Sequence, residues 1–287
     1  MNVGRIRELW RHPVKSMMGE RIERAELGAN GIPGDRAWAV RDEERGGIRG
    51  AKKIAGLMRC GARYLEEPAF GRVPPPEIRL PDGATLRASD PGAAERVSGA
   101  VEQKVTLWPL LPADRVDHYR RGAPTHEDFD QEMRAIFGRT KDEPLPDFAA
   151  FPPELFEFES PPGTYFDAFP ILLLTDATLA KLKKLAPASV IDVRRFRPNL
   201  VVQTPDGVED FVELGWIGRR LRVGDAELEI AMACPRCVMI THAFDDLPRD
   251  PGLMRTVVRE ANQNVGVYVR VARPGRIAVG DTVELLS

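Results

Sequence analysis

The stretch that decides the reading is Ala226-Glu227-Leu228-Glu229-Ile230-Ala231-Met232-Ala233-Cys234-Pro235-Arg236-Cys237-Val238-Met239-Ile240-Thr241. Ala226, Leu228 and Ile230 alternate with Glu227 and Glu229, the period-2 pattern of a half-buried strand. Pro235 has no N–H to donate and breaks the ladder. Two of the chain's three cysteines, Cys234 and Cys237, are thus delivered at a strand end beside a cation, Arg236. Spacing alone leaves three readings open. Structural zinc needs four ligands, and the other donors, Cys60 and four histidines, form no second close pair, although His242 is near. A dithiol redox pair normally opens a helix in a βαβ unit, whereas a β-rich context surrounds this one. The third reading is a single functional thiolate with the other cysteine packed as a small apolar residue. A soft thiolate in a cationic setting suits a molybdenum–pterin centre, where sulfur binds the metal and the cofactor carries a phosphate.

The flanks extend the β pattern. Val265, Val267, Val269 and Val271 alternate with Gly266, Tyr268 and Arg270, and a closing hairpin is expected from Ile277–Val279 and Thr282–Leu286. Between them, Met254, Val257, Val258 and Ala261 share one stripe and predict a helix over 253–262. Upstream, Ile171–Leu174 reads as a buried strand. It meets Thr175, a helix N-cap candidate, with Asp176 in the first turn and Leu179, Leu182 and Leu185 on one face. A strand feeding a helix N-terminus is a generic anion site. Arg194, Arg195 and Arg197 precede Pro198-Asn199 and a strand at 200–203. They read equally as a solvated turn or as bidentate phosphate ligands. Many short strands with few helices imply a mainly β fold, barrel-like in its C-terminal half.

In the N-terminal half, Val3–Trp10 is β-compatible and runs into His12-Pro13-Val14-Lys15-Ser16. The turn-rich Gly28–Asp35 leads into a strand at 37–41. Lys15 and Arg36 sit at loop–strand boundaries, where the bland reading is two solvated surface cations. Leu80–Leu86 reads as a hairpin around Asp82-Gly83, and 101–108 as a strand. Thr125 and Asp128 have capping-box spacing before a helix ending at Phe137. Its stripe of Phe129, Met133, Ile136 and Phe137 reads as core, and Gly138 as its terminator. Residues 144–162 carry six prolines and four phenylalanines, the composition of a surface wrap or inter-domain connection. The expected division is therefore an N-terminal β-rich domain at 1–140 and a second domain at 141–287.

Forty-one Lys+Arg against 43 Asp+Glu leave little net charge, which argues against a bulk nucleic-acid binder. No apolar run approaches the roughly 18 residues of a membrane span, and the start of the chain lacks a signal-peptide pattern. Three cysteines make no disulfide framework. A cytoplasmic location is the expectation.

His12-Pro13-Val14-Lys15-Ser16, Gly34-Asp35-Arg36-Ala37-Trp38, Leu174–Leu179, Arg195-Phe196-Arg197-Pro198-Asn199, Cys234-Pro235-Arg236-Cys237 and Arg276–Asp281, in this order, resemble the MOSC proteins (molybdenum-cofactor sulfurase C-terminal domain) with their N-terminal β-barrel domain. The resemblance implies a molybdenum cofactor between the two domains. In the branch similar to the amidoxime-reducing components it implies molybdenum on the thiolate of Cys237. Lys15, Ser16, Arg36, Thr175, Arg197 and Asn199 would hold the pterin and its phosphate, with Asp176 ordering it or relaying protons. The expected activity is reduction of N-hydroxylated or related N-oxygenated small molecules. The alternative is a cofactor carrier or a sulfur-transfer protein acting through a Cys237 persulfide. Electrons are expected from separate flavin, iron–sulfur or haem proteins, and no pyridoxal phosphate is expected in this chain. From about 72 to 164 the chain departs from the amidoxime-reducing branch, in the region that shapes the substrate mouth.

Overall fold

In the computed structural model, which describes residues 1–286, the alternating stretch lies in a ten-residue strand, Ala226–Pro235. Ala226, Leu228 and Ile230 are buried on one face and Glu227 and Glu229 are half-buried on the other. It is one of seven strands that close into a barrel: β1 Asn2–Arg11, β2 Ile171–Thr175, β3 Leu200–Gln203, β4 Arg220–Val223, β5 Ala226–Pro235, β6 Asn264–Arg273 and β7 Thr282–Leu285. Around the barrel they run β3-β2-β6-β5-β4-β7-β1, and β1 returns to β3. Neighbours are antiparallel except β2 and β3, which are parallel. The connection between those two contains the helix Asp176–Leu185, as a parallel pair requires. Inward-facing Ile6, Leu9, Leu173, Val202, Leu228 and Val267 fill the interior. The mainly β fold with a few helices is as the sequence implies.

The sheet crosses the expected boundary at 140/141, because β1 lies between β3 and β7 and belongs to the barrel of the C-terminal half. Without it those two strands would be exposed edges. The closing hairpin is also absent. Gly275–Ala278 pairs with Arg24–Leu27, while β7 pairs with β4 and β1; the Gly280-Asp281 turn sends the two segments to different sheets.

The rest of the N-terminal half holds two three-stranded sheets, Ile48–Arg49 / Trp38–Asp42 / Val105–Pro109 and Gly61–Arg63 / Glu77–Arg79 / Thr85–Arg87. The Asp82-Gly83 turn lies where expected, with Gly83 at φ +85°. Ala93–Val101 is a helix that the sequence reading lacked. Met239, Phe244 and Leu247, which follow the cysteine pair, pack into the same buried cluster as Val14, Met17 and Leu57. The two halves therefore share a core where Cys237 sits.

Helix Phe129–Phe137 starts later than Thr125. Asp128 is its N-cap, accepting from Gln131 N, and Gly138 ends it at φ +63°. Thr125 N and His126 N donate instead to the Glu132 carboxylate. The second C-terminal helix, Pro251–Glu260, is capped by Asp250.

Candidate functional site

Two loops of the N-terminal half are laced together by backbone bonds. Lys15 N donates to Trp38 O at 2.8 Å, Arg36 N to His12 O at 2.7 Å, and Trp38 N to Pro13 O at 3.1 Å. Asp35 accepts from His12 N at 2.6 Å and pairs with Arg36. This lacing sets Lys15, Ser16 and Arg36 in one wall. Across from them, Asn199 stitches β1 to β2: its N–H donates to Leu172 O, its side-chain amide to Trp10 O, and its carbonyl accepts from Leu172 N. The same carbonyl meets Arg36 Nη1 at 3.3 Å. The third wall is the end of β5. Register shifts in its pairing with β6, at 230/232 and again at 233/235, re-aim the strand before Pro235. Cys237 then opens the short turn Val238–Thr241.

These walls enclose a narrow cleft lined by Lys15, Ser16, Arg36, Arg197, Arg236, Cys234 and Cys237, together with Asp167 and Tyr268. Seven non-glycine residues among those described have positive φ, and three of them, Ser16 (69°), Arg36 (48°) and Arg197 (55°), line this one cleft. Left-handed backbone at such residues persists only where the surroundings enforce it, and it clusters at functional sites. Ser16 Oγ accepts from Ala51 N at 2.9 Å, which leaves its own proton free to donate.

The cleft is cationic. Burial and the neighbouring Arg36 push the Arg197 guanidinium down to about 9. Burial also lowers Lys15, partly offset by Asp167. Lys15 Nζ donates to Asp167 at 2.8 Å and to Tyr165 O at 2.9 Å, and Lys52 Nζ lies 3.3 Å from the same carboxylate. Although burial works against it, this pair of ammonium groups holds the Asp167 carboxyl well below the usual carboxylate range. Burial pushes the Cys237 thiol up, against the pull of Lys52. Arg197 Nη2 and Arg236 Nε are buried without a hydrogen-bond partner. A buried charged donor left unsatisfied costs more than the roughly 1–3 kcal/mol of a neutral one. These unpaired donors fit a phosphate-bearing anion, and the nearby thiol fits a soft metal.

Sequence comparison agrees with this chemistry. The MOSC N-terminal beta barrel domain model matches residues 3–103 and the MOSC domain model residues 161–284. The chain is a MOSC-domain protein. Mitochondrial amidoxime-reducing component 1 of Mus musculus is 26% identical over 99% of this chain and 83% of its own length. Mitochondrial amidoxime reducing component 2 of Homo sapiens is 27% identical over 98% and 83%. Among solved structures, the YUAD protein from Bacillus subtilis aligns over 98% of this chain and 94% of that one, at 14% identity and a TM-score of 0.44.

In this MOSC protein five of the eight sequence-predicted site residues line the cleft: Lys15, Ser16, Arg36, Arg197 and Cys237. Asn199 lies behind Arg36. Thr175 and Asp176 lie elsewhere, outside the lining of this cleft. Thr175 is fully buried, caps helix Asp176–Leu185 and donates to Glu213 at 2.8 Å. Asp176 accepts from Thr204 N and Oγ1, both at 2.9 Å, and borders a different cavity with Arg7. The side chains of the strand–helix junction are thus engaged by Thr178, Glu213 and Thr204. Arg195 is structural in its bonding, donating to the carbonyls of Val190, Ile240, His242 and Pro248. His242, the third donor near the cysteine pair, bonds Ala51 O through Nε2 at 2.9 Å, and no group of three His, Cys, Asp or Glu placed to hold a metal is found among the described residues.

Sequence reasoning missed Asp167, Lys52 and Tyr268. Asp167 and Lys52 lie in irregular segments without a motif. Tyr268 is the polar member of the β6 alternation, which reads as solvent-facing until the fold sets a wall against it. No helix among the described residues is long and apolar enough to cross a membrane.

Proposed function

We propose that this protein binds the molybdenum cofactor and reduces N-hydroxylated or N-oxygenated small molecules, with the Cys237 thiolate as metal ligand. The observation that supports this most is the pair of buried, unpartnered guanidinium donors, Arg197 Nη2 and Arg236 Nε, in the same cleft as Cys237. The amidoxime-reducing relatives give the reaction class.

Lys15, Arg36 and Arg197 supply positive charge for the cofactor's phosphate, and Ser16 supplies a hydroxyl donor. Asn199 holds Arg36 in place. When bound, the cofactor supplies a redox metal centre that accepts the substrate oxygen. Cys237 would hold that centre, and Asp167 and Tyr268 line the same cleft. Lys52, whose ammonium is raised by Asp167 against the cost of burial, keeps its proton at Nζ and offers it as a hydrogen-bond donor to the departing oxygen. Asp167 holds both lysines in register. The N–O bond breaks with two electrons and two protons, giving N–H and water. The electrons come from separate flavin, iron–sulfur or haem proteins, consistent with relatives that are named components.

The test is turnover of an N-hydroxyamidine by cofactor-loaded protein with a competent electron donor. Cys237→Ser should abolish it, while Cys234→Ser keeps most of it. Cofactor binding without turnover under any donor would instead indicate a carrier, and equal behaviour of both variants would remove the thiolate assignment.

A further inference from the structure

A second cavity, of about 380 Å³, meets the cleft at Asp167, Pro235, Cys237 and Tyr268, which line both. Its volume falls in the range of small-molecule sites, roughly 300–1,000 Å³. The wall opposite Cys237 comes from helix Phe129–Phe137 and the segment after it: Phe129, Met133, Phe137, Phe148, Phe151 and Phe156. The rings form a lattice, with Phe148 centred 6.2 Å from Phe129 and 5.7 Å from Phe137. Phe129 and Phe156 remain 60% and 58% exposed. The stripe that reads as core in the sequence therefore lines a cavity.

Each charged residue of this cavity has an ion partner, Asp42 lying outside the lining and Asp167 serving Lys15 as well as Lys52. Lys53 pairs with Glu132, Arg121 with Glu159 at 2.5 Å, Lys52 with Asp167 at 3.3 Å, and Arg49 with Asp42 at 3.6 Å. Every cation and carboxylate of the lining thus already has an ion partner. A charged body entering among these rings would lose its hydration and would have to compete with one of these pairs for a partner. A flat apolar body would remove ring surface from water and stack offset or edge-on against the lattice.

We propose that this cavity is the substrate pocket and that it selects neutral N-oxygenated molecules with an aromatic or similarly flat apolar body, the N–O group lying at Cys237. The inference rests on the function proposed above for its reacting end, whereas the selectivity belongs to the phenylalanine wall.

Equilibrium binding by calorimetry separates the two. The probes are N-hydroxybenzamidine, N-hydroxyacetamidine and 4-carboxy-N-hydroxybenzamidine, each titrated into protein with and without incorporated pterin. The aromatic neutral probe should bind at least about tenfold more tightly than either other probe, as expected for burial of a ring against a methyl or an unpaired carboxylate. Phe148→Ala and Phe151→Ala should each narrow the phenyl-to-methyl ratio. A methyl or carboxylate probe that binds as tightly as the neutral aromatic one overturns the proposal. So does a ratio unmoved by both substitutions. Failure of the protein to take up pterin would overturn the proposed cofactor reading alone, because the affinity ratio is still read on pterin-free protein.

Discussion

Lys15 Nζ donates to Asp167 Oδ1 at 2.8 Å, a contact that spans 152 positions of the chain. It ties the loop after the first barrel strand to the loop before β2, at the seam between the cationic cleft and the phenylalanine-lined cavity. Lys15 is nearly inaccessible and Asp167 is not, with side-chain exposures of 4% and 38%. Removing the carboxylate therefore leaves a buried ammonium held only by Tyr165 O and Ser160 Oγ. Asp167→Ala should cost about 1–2 kcal/mol in urea unfolding, below the full penalty of a fully buried pair because water reaches the carboxylate. Lys15→Met should cost less, since Asp167 keeps Lys52.

Arg197 is where the proposed phosphate contact can be separated from folding. Burial and Arg36 disfavour its charge, while its Nη1 donates to Met17 O, so its removal has opposing effects on cofactor-free protein and would cost the proposed phosphate contact outright. Arg197→Met should leave the melting temperature of cofactor-free protein within about 4 °C, the shift expected for roughly 1 kcal/mol. Pterin recovered from the purified variant should fall about tenfold. Pterin oxidation fluorescence measures the second quantity and thermal unfolding the first.

Thr175 should behave in the opposite way. Its hydroxyl accepts from Thr178 N at 3.1 Å and donates to the buried Glu213 carboxyl. Thr175→Val removes a helix cap, worth about 0.5–2 kcal/mol, and one of the donors to a buried acceptor. Denaturant unfolding should show that loss, with pterin content at the parent level.

These two residues show where the sequence was legible. The alternations in β5 and β6 revealed their strands because period-2 burial is local. Cys237, Lys15 and Arg36 were visible as turn-flanked polar residues whose motifs coincide with the family's. Thr175 carried a motif of the same kind, and its N-cap role was read correctly. Which cavity a strand end borders is not local, since it depends on closure of the barrel by β1 from the far end of the chain. Asp167 and the ring lattice were hidden for a related reason. The periodicity of Phe129, Met133 and Phe137 marks one helix face without saying whether core or cavity lies opposite.

His12 makes acid stability testable. Its ring is buried, bonds Pro198 O through Nε2 at 3.2 Å, and leaves Nδ1 without a partner. Burial, reinforced by Arg197 and Arg36, lowers its protonation well below the ordinary value of 6.5. The unfolded chain therefore takes up a proton near pH 6.5 that the folded protein refuses. The neutral form's contribution is complete above that pH and is lost as pH falls below it. Unfolding free energy should drop between pH 7 and 5.5 by up to about 1.4 kcal/mol per pH unit from this one group. His12→Gln should flatten that slope; an unchanged slope would show that His12 does not set it.

The decisive measurement is the molybdenum and pterin content of the purified protein, expressed with abundant cofactor and read by elemental analysis beside oxidised-pterin fluorescence. Molybdenum and pterin approaching one of each per chain are expected. Stoichiometric zinc with neither molybdenum nor pterin would rule out a molybdenum cofactor at Cys237.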